Sequence, residues 1–171
     1  LKKALSAKKK MVGIMADSHD NLHSIKHAVR IFKEAGCRLV VHAGDFVAPF
    51  AARELESLGC PVKAVFGNCD GEKQGLEKAL HPFGEIKKAP LVFSHQGLRF
   101  LVVHVPAKLD SHISSEKFDV IIFAHTHKPD LRKKKGTLLI NPGETGGWLS
   151  GKSTAALLDS MTLSAEILAL D

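Results

Sequence analysis

Apolar runs alternate with helical patterns over the first 70 residues of the chain. Three apolar runs predict strands: residues 12–16, 39–41 and 62–66. The first is apolar on both faces, which suits a strand buried in the middle of a sheet. Between the three runs, residues with helical spacing follow Asn21 and Pro49, and each helical pattern ends at a glycine, Gly36 or Gly59. This strand–helix repetition predicts parallel strands joined by right-handed crossovers.

The pattern changes in the second half of the chain, where hairpins replace crossovers. The predicted elements are a hairpin over 91–103, a helix over 109–117, a strand over 120–124, a hairpin over 131–140 and two closing strands over 154–158 and 165–170. The pattern assigns no element to residues 71–90. The basic run 132–135 is interpreted as a solvated hairpin turn rather than a phosphate-binding patch. A single domain of mixed parallel and antiparallel sheet is predicted.

Polar side chains with metal-binding donor atoms follow several of these strands. They are Asp17, His19, Asp45, Asn68, His104, His125 and His127. Each sits just after an apolar run, and sites in α/β folds form at the carboxyl ends of strands. An isolated Asp-x-His is as easily a turn with a solvated carboxylate, but five strand ends of this kind point to one shared site. Seven oxygen and nitrogen donors suffice for two metal ions that share one carboxylate.

Composition places the chain among ordinary globular proteins. Its 171 residues, 44% apolar and 25% charged, favour one domain with a substantial core. No window approaches the roughly 20 apolar residues of a membrane span, and no apolar signal segment is visible. Three scattered cysteines, Cys37, Cys60 and Cys69, resemble reduced thiols more than a disulfide framework. These features predict a cytoplasmic protein.

The net charge of +6 is concentrated at one end of the chain. Residues 1–10 contain five lysines and no acid, so they supply +5 of it. We interpret residues 1–10 as a native basic tail or an expression remnant, and residues 11–171 as a single domain. Because the charge lies outside the domain, a specific nucleic-acid partner is not expected.

The ordered set of motifs resembles the calcineurin-like metallophosphoesterase superfamily. The matching residues are Asp17-x-His19, Gly44-Asp45, Gly67-Asn68, His104 and His125-Thr126-His127. The short length, the Gly-Asn-Cys-Asp form and Asn141-Pro142-Gly143 are similar to the small YfcE-type phosphodiesterases. The resemblance implies a mixed α+β and α/β fold, a four-layer αββα sandwich of two mixed sheets flanked by helices.

The resemblance also implies a dinuclear, usually manganese-activated centre. By motif, Asp17, His19 and His127 hold one ion and Asn68, His104 and His125 hold the other, with Asp45 bridging both. Asp45, Asn68 and His104 would then act in catalysis through a metal-bound hydroxide that attacks phosphorus. Carboxylate, amide and imidazole donors suit Mn²⁺, and also Ni²⁺, Fe²⁺ or Zn²⁺.

Two positions depart from the pattern of the superfamily. Cys69 stands where many members have a histidine that protonates the leaving group, so esters needing little protonation should be favoured. Val105 and Pro106 replace the Gly-His that commonly follows the histidine at position 104, which alters the loop beside the metals. His95, in a predicted hairpin turn, is expected to be solvent-exposed rather than a ligand.

The resulting hypothesis is a metal-dependent phosphodiesterase that acts on a small phosphoester. The alternative is a scaffold module of the same fold, like the retromer subunit, without significant catalysis. All seven ligand positions carry residue types that can bind a metal, which favours the enzyme over the scaffold. Trp148 and Leu149 could form a partner or homodimer surface, or close a loop over the core.

Overall fold

The computed structural model describes residues 10–170, so the predicted basic tail lies almost entirely outside the described residues. Within that range the chain forms eleven strands: β1 (Met11–Met15), β2 (Leu39–His42), β3 (Val62–Val65), β4 (Gly84–Lys87), β5 (Leu91–His95), β6 (Leu98–Val102), β7 (Val120–Ile122), β8 (Asp130–Lys134), β9 (Thr137–Asn141), β10 (Thr154–Asp159) and β11 (Ser164–Ala169). The helices are α1 (Leu22–Glu34), α2 (Pro49–Arg53), α3 (Lys73–Leu80) and α4 (Leu109–Ser114), with a 3-10 helix at Glu54–Leu58.

The strands form two mixed sheets. The first has the order β11-β10-β1-β2-β3-β4, and the second β5-β6-β7-β9-β8. In the first sheet β1 to β4 are parallel, and β10 joins β1 in antiparallel pairing. In the second sheet β6, β7 and β9 are parallel. The parallel strands of each sheet therefore release their following loops at one edge, where polar side chains can collect.

The helices and sheets form four layers with apolar clusters packed between them. One cluster lies between the two sheets and includes Ile14, Val41, Phe100 and Ile122, all completely buried or nearly so. A second cluster packs α1, α2 and α3 on the outer face of the first sheet, and a third packs α4 on the outer face of the second. This arrangement confirms the predicted four-layer αββα sandwich.

The contact between α1 and β1 is unusually close. Asn21 caps α1 by accepting a hydrogen bond from the Ser24 backbone N–H, and Phe32 of the buried helix face covers β1 at Gly13. A Cβ atom at Gly13 would lie 2.7 Å from the Phe32 ring. Glycine at this point therefore lets the helix lie directly on the strand that leads to the site.

Most elements predicted from the pattern are confirmed, with three differences. Helix α3 and strand β4 occupy the stretch that received no element, and α4 ends at Ser114 rather than Lys117. The basic run is not a turn, because Arg132 to Lys134 extend along the exposed strand β8 and only Lys135 and Gly136 turn. Among the described residues, no helix is long and apolar enough to cross a membrane.

Candidate metal centre

The seven predicted ligands follow five strands from both sheets. Asp17 and His19 follow β1, Asp45 follows β2 and Asn68 follows β3; the remaining three follow β6 and β7 of the second sheet. The two sheets meet here directly, because His104 Nδ1 lies 2.8 Å from the carbonyl oxygen of Ala43. Chain order alone could not indicate that contact, since the two residues are 61 positions apart.

The backbone turns sharply at these strand ends. Asp17, His19, Asp45, His125 and His127 have φ angles between 39° and 72°, in the left-handed region that non-glycine residues rarely adopt. Such conformations each cost on the order of 1–3 kcal/mol and persist only where surrounding contacts enforce them. Their concentration at one site indicates that the backbone is shaped for function there.

Asp17, His19 and His127 form what we call the inner half of the centre. One donor atom from each lies within 4.8 Å of the others. Asp17 Oδ1 and His19 Nε2 are buried and have no hydrogen-bond partner among the described residues. Burial raises the pKa of Asp17 despite nearby histidines. A cation would satisfy these lone pairs and favour the ionised carboxylate.

Glu144 lies directly behind the His127 ring. Its Oε1 atom lies 3.2 Å from His127 Nδ1, which leaves Nε2 facing Asp17 Oδ1 at 3.7 Å. Glu144 is fully buried and accepts hydrogen bonds from the backbone N–H groups of Leu149 and Ser150. Burial raises its pKa, but the bonds from Ser150 and Leu149 outweigh it and lower the pKa to about 2. A carboxylate behind a metal-binding histidine is a common arrangement.

Asp45 stands between the two parts of the centre. Its Oδ2 atom lies 3.7 Å from His19 Nε2 and 3.4 Å from His104 Nε2, while Oδ1 accepts a 2.8 Å hydrogen bond from the Cys69 backbone N–H. Burial opposes ionisation, but the bonds from His104 and Cys69 hold the pKa of Asp45 well below its usual range. The carboxylate is therefore ionised and placed to be shared.

Asn68, His104 and His125 form the outer half. His104 Nδ1 donates to the Ala43 carbonyl, and His104 Nε2 lies 2.9 Å from Asn68 Oδ1 and 3.4 Å from Asp45 Oδ2. The His125 ring packs edge-on against the His104 ring at 5.2 Å. Asn68 and His125 are exposed, whereas His104 is buried. Asn68 Oδ1 and Asp45 Oδ2 thus both face His104 Nε2, and a proton or a cation at that position would satisfy all three atoms.

Asp70 ties the loop after β3 to the loop after β2. Its carboxylate accepts hydrogen bonds from the backbone N–H groups of Gly67 at 2.7 Å, Asp45 at 3.0 Å and Val47 at 2.8 Å. The side chain is 2% exposed. Asp70 therefore fixes Asp45 relative to Asn68, although it does not reach the donor cluster itself.

At Gly44 the loop after β2 also comes very close to the loop after β3 and to the His104 ring. Gly44 has φ +101°, and a Cβ atom there would lie 2.8 Å from both the Gly67 nitrogen and His104 Nδ1. Any larger residue would separate the loops that carry Asp45, Asn68 and His104. Glycine is required at this position for both its conformation and its size.

Two further histidines, His42 and His95, lie outside the ligand set, and His95 differs from its expected exposure. His42 accepts from the Gly44 N–H, so its Nε2–H faces Ser18 Oγ at 3.0 Å, and burial lowers its pKa to about 3. It therefore stays neutral and supports the strand-end backbone through Ser18. His95 is half-buried rather than exposed, and it packs against Phe100.

Cys69 is exposed beside the shared carboxylate. Its sulfur accepts a 3.4 Å hydrogen bond from the Asn68 amide, and burial together with nearby Asp45 raises the pKa of the thiol. The thiol is therefore protonated at neutral pH. A protonated thiol does not suit a nucleophile.

Sequence reasoning noticed but did not assign Glu144 and Asp70. Glu144 follows the Asn141-Pro142-Gly143 motif, and Asp70 ends the Gly-Asn-Cys-Asp motif, but neither motif assigns them a role. The signal that could have found them is their position in the chain: Glu144 follows a turn glycine, and Asp70 follows a ligand motif. That signal gives no partner, because Glu144 meets a residue 17 positions away and Asp70 meets one 25 positions away.

The donor set fits divalent metal ions. It combines two carboxylates, one amide and four imidazoles, contains no required thiolate and leaves buried lone pairs without partners. Such a set is typical of Mn²⁺, Fe²⁺, Ni²⁺ or Zn²⁺ sites with open positions. Divalent metal binding is also what the family of the chain implies.

A model of the calcineurin-like phosphoesterase superfamily domain matches residues 11–162. The chain belongs to this superfamily. Within it, the curated "Phosphodiesterase MJ0936" of Methanocaldococcus jannaschii is 36% identical over 153 residues, covering 87% of this chain and 92% of the relative. A solved structure described as a novel archaeal phosphodiesterase superposes on this superfamily member with a TM-score of 0.89 and 33% identity, covering 93% and 99% of the two chains.

More distant structures share only the fold with this superfamily member. YfcE, a phosphoesterase from E. coli, has a TM-score of 0.66 and 20% identity, covering 94% of this chain and 100% of its own. Vacuolar Protein Sorting 29 from Cryptosporidium parvum has a TM-score of 0.67 and 15% identity, covering 94% and 96%. The same fold thus occurs in both a named phosphoesterase and a sorting protein, so function must be argued from the site.

Proposed function

We propose that the chain is a divalent-metal-dependent phosphodiesterase. The seven ligands would be Asp17, His19, Asp45, Asn68, His104, His125 and His127, with Asp45 shared between two ions. The observation that carries the proposal is the pair of buried, partnerless atoms, Asp17 Oδ1 and His19 Nε2, inside a cluster of further donors. The 36% identical relative named a phosphodiesterase supports the choice of reaction.

Two divalent ions bound there would polarise phosphoryl oxygens and lower the pKa of a coordinated water. The protein side chains would set the geometry and charge. Glu144 holds the His127 ring, and Asp70 holds the backbone of Asp45. Asn68 supplies a neutral donor, which limits the repulsion that an anionic phosphoester meets on approach. Cys69 offers no efficient acid, so good leaving groups should react fastest.

We further propose Mn²⁺ as the activating metal, a small phosphoester as substrate and the cytoplasm as the compartment. The donor atoms are hard or intermediate, which suits Mn²⁺ and leaves Ni²⁺, Fe²⁺ and Zn²⁺ as substitutes. The free thiols of Cys37, Cys60 and Cys69 support the compartment, because disulfides form and persist mainly in oxidising compartments.

The test is hydrolysis of bis-p-nitrophenyl phosphate by protein that has been stripped of metal and reloaded. We expect Mn²⁺ to restore activity and Asp45→Asn to abolish it, because the variant loses the shared negative charge. Asn68→Ala should act similarly, since it removes a donor from the outer half. Metal content by mass spectrometry, measured on the same samples, should fall in both variants.

Glu34→Gln is the matched control for Asp45→Asn, because it also converts a carboxylate to an amide but lies exposed near the end of α1. It should retain wild-type activity and metal content. Unchanged hydrolysis in Asp45→Asn would contradict the proposal, as would activity that survives complete metal removal. Hydrolysis confined to p-nitrophenyl phosphate, a monoester, would contradict the diesterase assignment.

A scaffold role is the second candidate, and one observation favours it. Trp148 and Leu149 are 65% and 80% exposed beside the inner half, with Trp148 Nε1 donating to the His19 carbonyl. They do not close over the core, so they are available to a partner or to a second copy of the chain. Protein that binds two metal ions but hydrolyses none of the phosphoesters would favour this candidate.

A further inference from the structure

A cavity of about 500 Å³ opens directly beside the outer half of the candidate centre. Asn68 and His104 form one of its sides, and the segment 88–90, the loop 105–109 and the start of α3 form the others. Its volume falls in the range of small-molecule sites. The cavity is therefore large enough for a substituent of a phosphoester whose phosphorus lies at the metal centre.

The walls of this cavity are largely apolar. Seven side chains supply that surface: Phe66, Ala89, Pro90, Val103, Val105, Ala107 and Leu109. Val105 stands at the edge of the cavity, and its side chain is 45% exposed. This is the position at which the resemblance led us to expect glycine. The departure thus adds apolar surface where a ligand would lie.

The rim of the cavity is positively charged. Lys73, Lys88 and Lys108 line it, and no carboxylate does so among the described residues. Between residues 10 and 170 none of the three lysines has an acidic partner within ion-pair distance. Lys73 Nζ lies 5.7 Å from the centre of the Phe66 ring, so a cation and an aromatic face stand side by side.

We propose that this cavity binds one ester arm of the phosphodiester substrate, and that the arm is a nucleotide: a planar aromatic base with a further phosphate. The inference rests on the proposed function. The base would lie against Phe66 and Val105, and the additional phosphate would meet the lysines. An uncharged arm would leave the three lysines without a counter-charge. An anionic arm would supply that counter-charge and therefore fits the cavity better.

The reaction itself remains ordinary hydrolysis. The oxygen of water bonds to phosphorus, the bond from phosphorus to one ester oxygen breaks, and the proton lost by water balances the alkoxide that leaves. The products are a phosphomonoester and an alcohol. The cavity changes only which diesters are held long enough to react.

The kinetic test compares the 5′-phosphorylated dinucleotide pApA with ApA, which lacks the terminal phosphate, and with bis-p-nitrophenyl phosphate. We expect kcat/KM for pApA to exceed that for ApA by about 10- to 100-fold, the range of one or two charge-assisted hydrogen bonds. The triple variant Lys73→Gln, Lys88→Gln and Lys108→Gln should remove this preference. It should leave hydrolysis of bis-p-nitrophenyl phosphate within about threefold of wild type, since that substrate has no second phosphate.

The matched control is the triple variant Lys133→Gln, Lys134→Gln and Lys135→Gln. It removes the same charge from exposed positions on and after β8, so it reports general electrostatic attraction alone. The preference for pApA should survive in it. Equal loss in both triple variants would overturn the proposal. Thermal unfolding of each variant establishes that it is folded.

Calorimetric binding of AMP and adenosine separates this inference from the proposed function. AMP should bind at least about tenfold more tightly than adenosine, and only the cavity variant should lose the difference. That result without any diester hydrolysis would keep the cavity assignment and refute the enzyme. Hydrolysis of bis-p-nitrophenyl phosphate without preference for pApA would support the proposed enzyme and refute the cavity assignment. Faster hydrolysis of a short-chain diacyl glycerophosphodiester than of pApA would mean that the apolar wall binds an acyl chain. That result would contradict the proposal of a nucleotide arm.

Discussion

The inner and outer halves of the candidate centre differ in how the protein surrounds them. In the inner half Asp17 is fully buried, and His127 is backed by the fully buried Glu144. In the outer half Asn68 and His125 are exposed, and the space beside them opens into a cavity. The first arrangement suits a permanently held ion, and the second suits an ion that must also meet a substrate.

The comparison shows how one fold can separate two requirements. Tight metal binding needs ligands that are fixed and poorly hydrated, whereas turnover needs open coordination positions and access for substrate. Asp45 lies between the two halves, and its Oδ2 atom reaches a histidine of each. Three substitutions test this division, beginning with the contact that joins the halves.

The largest effect is expected from Asp70→Ala. The variant leaves the backbone N–H groups of Gly67, Asp45 and Val47 without their acceptor, and two of these are part of the join between the halves. We expect the free energy of unfolding to fall by about 3–5 kcal/mol, because each unsatisfied buried donor costs about 1–3 kcal/mol. Urea denaturation measures this, and diester hydrolysis should fall in the same variant.

Asp110→Ala is the control, because its side chain is 88% exposed and pairs only with Lys134 at the surface. It should change stability by less than about 1 kcal/mol. A loss for Asp70→Ala no larger than for this control would mean that the two halves are positioned independently.

Glu144→Gln should affect the inner half alone. The amide keeps the shape of the side chain but removes the charge that faces His127 Nδ1. Apparent affinity for Mn²⁺ should fall by about 10- to 100-fold at the tighter of two sites, the usual range for a carboxylate behind a ligating histidine. Calorimetric metal titration of the stripped protein resolves the two steps. If only the weaker step changes, Glu144 does not serve the inner half; Glu34→Gln again provides the control.

Cys69→His should affect the outer half alone and have the smallest effect. An imidazole beside Asn68 can protonate a leaving group at neutral pH, which the thiol with its raised pKa does poorly. We expect kcat for diesters with alkyl leaving groups to rise by about tenfold, while p-nitrophenyl esters change little. Cys60→His, placed before β3 and away from the site, should change neither. A rise of equal size for both kinds of ester would exclude acid catalysis as the cause.

The pattern of the sequence predicted those parts of the fold that repeat over many residues. Strands β1, β2 and β3 consist largely of apolar residues, so their burial could be recognised without knowing their neighbours. Helix α3 and strand β4 could not be recognised this way. The helix has eight residues, three of them buried, and β4 is an edge strand in which only Ile86 is buried. Such short elements depend on the rest of the sheet for their stability.

The candidate ligands were predictable for a related reason. A polar side chain directly after an apolar strand must emerge at the sheet edge, so the residue types and their order were readable from the chain. Their supporting residues were not readable. Glu144 and Asp70 act through partners far away in sequence, and the cavity lysines come from three separate segments. Periodicity reports which face a residue occupies, not which residue it meets.

The sequence by itself therefore determined the alternation of strands and helices, the superfamily and the identities of the seven candidate ligands. Only the tertiary structure decided that Asp45 lies between His19 and His104, that Glu144 backs His127, and that the outer half opens into a basic, apolar-walled cavity. The reason is physical. The spacing of apolar residues and local hydrogen bonding depend on neighbours in the chain, whereas the convergence of loops depends on how two sheets pack and on backbone conformations that those contacts enforce.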